Sequence, residues 1–118
     1  VPLVDVTYDN TVPEGELRKL GELLPELVCE AVDCPEEPCV GTAQVGDMEI
    51  RFRGKGPFDV GELNCVIEVR TKLFASREHD KQRRADLIRD RIAADVELGT
   101  FGVWLVLAGG AWSQSPPG

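Results

Sequence analysis

Pro2-Leu3-Val4-Asp5-Val6 and Cys65-Val66-Ile67-Glu68-Val69 are the two stretches that decide the fold, because they match residue for residue. Leu3 falls on Val66, Val4 on Ile67, Asp5 on Glu68 and Val6 on Val69. Each alternates apolar and polar side chains, the period-2 pattern of a strand with two unlike faces. A helical pattern follows each. The first has Leu17, Leu20, Leu24, Leu27, Val28 and Ala31 on one stripe; the second has Ala85, Ile88, Ile92 and Val96. After a one-residue adjustment Val28 falls on Ile92 and Val32 on Val96. Further strands are expected over 40–45, 48–53 and 102–107, and the 65 strand extends to 73. The whole reads as a tandem βαβ pseudo-repeat over residues 2–54 and 65–112. That is an α/β (α+β) chain, with one four-stranded mixed sheet and two helices on one face. Residues 1–112 form one domain in this reading, and 113–118 a loose tail.

Local signals refine the picture. Thr11-Val12-Pro13-Glu14 fits a capping box with proline in the first turn, and Ser76 suits the cap of the second helix. Pro25 inside the first helix predicts a bend. The uncovered sheet face would carry Asp5, Thr7, Glu68 and Arg70, and a small domain with a bare face invites cover by other subunits.

Composition limits the function. The chain has 118 residues, 42% of them hydrophobic, enough for one core. Thirteen basic against twenty-one acidic residues give a formal charge of −8, which argues against nucleic-acid binding by phosphate tracking. No apolar run reaches the roughly 20 residues that span a bilayer, and no signal-peptide pattern opens the chain. A cytoplasmic, acidic protein is expected. The cysteines Cys29, Cys34, Cys39 and Cys65 match no zinc-ribbon spacing. A Cys34–Cys39 bridge is geometrically open, but free, partly buried thiols are the expectation. His79, within His79-Asp80-Lys81-Gln82-Arg83-Arg84, is placed on the solvated face of the second helix with no catalytic role.

The paired units, the opening Pro2-Leu3-Val4-Asp5-Val6-Thr7-Tyr8, the helix entry Val12-Pro13-Glu14-Gly15 and the strand Gly102-Val103-Trp104-Leu105-Val106 together resemble the long-chain tautomerase superfamily. The resemblance implies a homotrimer with active sites at subunit boundaries and small enol or 2-oxo carboxylic acids as substrates, and no cofactor or metal. It assigns Pro2 as the catalytic residue, a secondary amine working as acid or base. Arg70, Arg51, Arg53 and Lys72 become candidate carboxylate-binding residues, arginine being suited by its planar fork. Trp104 becomes a pocket wall, with a buried core position as its alternative.

Three departures matter. Val12 stands where short tautomerases carry arginine, and Val106 where the dehalogenases carry tyrosine. Glu36 or Glu37 stands near the acidic residue of the decarboxylases. Plain enol-to-keto proton transfer therefore needs the fewest matched residues. Val1 precedes Pro2, and an amide-bonded proline has no basic lone pair. A GTG start translated literally would account for Val1 in a chain rich in Ala, Gly, Arg, Val and Pro, and Pro2 is expected to be the native N-terminus. Two alternatives stay open: a non-catalytic binding protein with the amine blocked by Val1, and a ferredoxin-like regulatory domain. That fold also builds a four-stranded sheet from two repeats, in βαββαβ order with the second and third strands antiparallel.

Overall fold

A computed structural model of the chain describes residues 2–39 and 48–116. The elements run β1 (Leu3–Tyr8), α1 (Glu14–Ala31), β2 (Glu49–Gly54), β3 (Cys65–Lys72), α2 (Ala75–His79), α3 (Lys81–Asp95) and β4 (Phe101–Ala108). The strand expected over 40–45 lies outside the described residues. The sheet order is β2-β1-β3-β4. β1 pairs β2 in parallel, β3 pairs β4 in parallel, and the two units meet antiparallel at β1 and β3, with Val4 opposite Val69 and Val6 opposite Ile67. This is the mixed sheet that two βαβ units demand. It excludes the ferredoxin-like alternative, because β1 separates β2 from β3. It also makes β1 a central strand, so Pro2 does not begin an edge.

Alternation divides the sheet as the sequence predicts. Val4, Val6, Cys65, Ile67 and Val69 are buried against Leu20, Leu24, Leu27, Val28, Ile88 and Ile92 of the helices. Burying each such aliphatic side chain contributes roughly 1.5–3 kcal/mol. Asp5, Thr7, Glu68 and Arg70 occupy the opposite face, as the register requires. Among the described residues no helix is long and apolar enough to cross a membrane.

The helix entries differ from the expected caps. α1 begins at Glu14 with Pro13 at the N-cap and no side-chain cap. The Thr11 hydroxyl and amide donate to Asp9 instead, so the expected capping box is a turn that ends β1. Glu14 and Glu16 in the first turn favour the positive end of the helix dipole. The helix then runs unbroken through Pro25. In the second unit the one expected helix is two, divided at Asp80. Ser76 lies inside α2 and donates to Glu36 Oε1 at 2.7 Å rather than capping.

One junction ties three strands together. Asn64 Nδ2 donates to Asp9 at 2.9 Å, and Asn64 Oδ1 accepts from the Thr100 amide at 2.9 Å. Gly99 enters β4 at φ +74°, and a Cβ there would lie 2.4 Å from Asn64 Oδ1. Gly99→Ala meets both the left-handed backbone penalty and that collision. It should cost about 1–3 kcal/mol, read as a lower urea midpoint at unchanged m-value.

Candidate functional site

The end of α1 sets the site. Its last carbonyls lack intrahelical partners, and its last turn carries no basic residue. Donors arrive from the second unit. Arg77 Nε donates to Val32 O at 2.7 Å and Nη1 to Lys72 O at 3.1 Å; Nη2 pairs with Glu37 at 3.2 Å. Arg84 Nη1 donates to Ala31 O at 3.0 Å and Asp33 O at 2.6 Å, while its Nε pairs with Asp80. Both guanidinium groups are buried, and each has a carboxylate and backbone acceptors, the condition under which a buried charge is tolerated. Arg84 thus corrects the expectation that residues 79–84 form a solvated run, whereas His79 is exposed as expected. The signal was in the spacing. Arg84, Ile88 and Ile92 follow one another at four-residue intervals, one side of α3.

Asp80 receives both Arg84 and Arg83, and these bonds hold its carboxyl well below the usual range, at about 2. A carboxyl depressed on folding contributes stability that is present above its unfolded value near 4 and lost as pH falls through about 2. Asp80→Asn should therefore weaken the protein at pH 6 and flatten the acid limb between pH 4 and 2, measured by urea unfolding at each pH.

Against this arginine-capped corner lies a cleft of about 220 Å³. Pro2 lines it with Val32, Glu37, Met48 and Arg77, and the disulfide Cys29–Cys39 forms part of the wall. The Pro2 carbonyl accepts from the Glu49 amide at 3.1 Å, which seats the residue where β1 and β2 begin to pair. Two residues before Val4, Pro2 lies on the helix-facing side of the sheet. The disulfide overturns the expectation of free thiols for Cys29 and Cys39. The helix end brings their Cα atoms to 5.4 Å, while Cys34 remains free and buried, with its thiol directed at Glu37 O. Of the two acidic residues considered at this loop, Glu37 reaches the cleft. Glu36 turns to Ser76, and that bond lowers its pKa.

The other candidates lie on the opposite side of the sheet. Arg70 donates from Nε and Nη2 to Glu68 at 3.1 and 2.9 Å. Arg70 and Lys72 share a second recess, about 150 Å³, with Leu3, Ala108 and Trp112. Arg51 and Arg53 are exposed on β2 in register with Asp5 and Thr7. Trp104, opposite Glu68, is 65% exposed, which removes its core alternative. Within one chain, then, Pro2 is brought together with Glu37, one of the two acidic residues considered at that loop, and with Arg77, which sequence reasoning missed.

No family model and no curated sequence matches the chain. Solved structures do. A fused 4-OT wild-type symmetric trimer aligns over 90% of this chain and 85% of its own, at TM-score 0.62 and 12% identity. A macrophage migration inhibitory factor-like protein from Entamoeba histolytica aligns over 97% and 95%, at 0.58 and 9%. A 5-carboxymethyl-2-hydroxymuconate isomerase from Deinococcus radiodurans aligns over 98% and 90%, at 0.51 and 16%. The chain therefore has the tautomerase and migration-inhibitory-factor fold.

Proposed function

We propose that this protein is a cofactor-independent tautomerase, acting on small enol or 2-oxo carboxylic acids through Pro2 as an N-terminal secondary amine. One observation carries the reading. Pro2 stands at the head of a central strand, in a cleft with a paired guanidinium and carboxylate, within a fold shared with the fused 4-OT trimer and the 5-carboxymethyl-2-hydroxymuconate isomerase. A neutral amine there takes the proton of an enol oxygen and returns it to the adjacent carbon. The Arg77 guanidinium disfavours a second positive charge in the cleft, and Glu37 opposes that effect.

Arg77 is committed to its carbonyls, so a carboxylate clamp comes from elsewhere. In this reading the chain is a homotrimer that packs through the open sheet face, where Trp104 and the exposed Arg51 and Arg53 lie. Arg70, Arg51, Arg53 or Lys72 then reach the substrate carboxylate across a subunit boundary. The test is ketonisation of an arylenolpyruvate, followed by loss of enol absorbance, with protein whose N-terminus is verified as Pro2 by intact mass. Catalysis at a trimer mass supports the reading. No acceleration by such protein returns it to the non-catalytic alternative, a binding protein of the same fold.

A further inference from the structure

We propose that the Cys29–Cys39 disulfide is a redox-modification site that governs the Pro2 cleft and is opened by small dithiols. The inference deepens the reading of Pro2 as the functional group of that cleft, and rests on it for its catalytic consequence alone. Cys34 and Cys65 are buried, at 4% and 0% exposure. Cys29 and Cys39 are only partly buried and line the cleft itself. A reductant small enough to enter with substrate thus meets these two sulfurs and not the free thiols.

The bridge closes the segment that carries Glu37, the partner of Arg77. Among the described residues the segment is otherwise held by the Cys39 amide on Asp33 and Ser76 on Glu36, both exposed, by Arg77 on Glu37, by the Glu37 amide on Cys34 O and by the weak Cys34 thiol contact to Glu37 O. Exposed bonds of this kind open readily. In the step itself, one thiolate of the dithiol attacks a bridge sulfur and the Cys29–Cys39 bond breaks. The displaced cysteine leaves as a thiolate and takes a proton. The second thiol of the reductant then displaces the other cysteine and closes a cyclic disulfide. Two electrons and two protons end on Cys29 and Cys39, and the dithiol is oxidised. The reduced cleft has lost a covalent wall, and Glu37 keeps its place only through Arg77 and the exposed bonds of its segment.

The test treats native protein with dithiothreitol, alkylates it, and maps the label by mass spectrometry beside amide hydrogen exchange. Label is expected on Cys29 and Cys39 alone. The Glu37 and Cys39 amides should exchange at least about tenfold faster, with β1 and β3 unchanged. Cys29→Ser with Cys39→Ser should reproduce this exchange without reductant, and Cys34→Ser should leave the oxidised pattern intact. Enol turnover by Pro2-terminal protein should fall on reduction and return on reoxidation. A bridge that resists dithiol until Cys34 and Cys65 also label is a structural staple and overturns the proposal. So does reduction that leaves exchange at Glu37 and Cys39 unchanged. If the oxidised protein shows no enol turnover, the Pro2 reading fails, while labelling and exchange still decide the redox site.

Discussion

Protein beginning at Pro2 is expected to ketonise an arylenolpyruvate at least about 100-fold faster than the same chain retaining Val1, the lower end of what a positioned general base contributes. The reason is bonding. Behind Val1 the proline nitrogen is an amide, whose lone pair is delocalised and binds no proton near neutrality. Freed, it is an α-amine, for which an ordinary pKa is about 7.7–8.0. The cleft supplies a second, independent signature. Glu37 is half-buried beside Arg77, and Glu37→Gln keeps a hydrogen-bond acceptor for the guanidinium while removing the carboxylate charge. The unbalanced cation then disfavours the ammonium form, and the amine pKa falls. A base is active when deprotonated, so the acid limb of the rate profile should move to lower pH in Glu37→Gln. An unmoved limb, or equal rates from the two N-termini, would show that Pro2 is not the base.

The backbone of the fold was legible because the sequence repeats a simple code. Val4 and Val6, like Ile67 and Val69, alternate with polar residues, and period 2 alone places them on one face. Leu20, Leu24, Leu27 and Val28 do the same at helical spacing. What the residues of one chain do for another segment was harder to see. Thr11 and Ser76 have the chemistry of caps, yet Asp9 and Glu36 compete for their hydroxyls and win. Cys34 and Cys39 are close in sequence, but it is the geometry of a helix terminus that chooses Cys29. Arg77 and Arg84 were hidden by their charge, since arginine on a helix is ordinarily a solvated residue. Beside the four-residue spacing that puts Arg84 in line with Ile88 and Ile92, the lack of a basic residue in the last turn of α1 hints that donors must come from elsewhere. The same limit applies to the site. Pro2 could be singled out by resemblance, whereas Glu37 reaches it through a loop whose register the sequence does not specify, and Arg77 from α2 of the second unit.

Arg77 carries the largest stability effect expected in this chain. Its side chain is 1% exposed, and its guanidinium lies 5.2 Å from the centroid of the Phe74 ring. Arg77→Ala removes the donors of Val32 O and Lys72 O, leaves Glu37 without its partner and opens a cavity beneath the cleft. Breaking a buried, hydrogen-bonded charge in this way costs about 3–5 kcal/mol. Two comparisons separate the causes. If the ion pair dominated, Glu37→Gln would cost as much as Arg77→Ala. Glu37 is 36% exposed, however, so that pair is worth at most about 1 kcal/mol. Arg77→Lys keeps the charge but offers a compact ammonium to acceptors arranged for a planar fork, and should fall between the two. Urea unfolding of the three variants gives the order directly. Equal losses in Arg77→Ala and Glu37→Gln would refute the view that Arg77 acts through the carbonyls. The predicted order instead makes Arg77 a positioning residue. It fastens the end of α1, the end of β3 and the Glu37 loop to one point, and so fixes the walls between which Pro2 works.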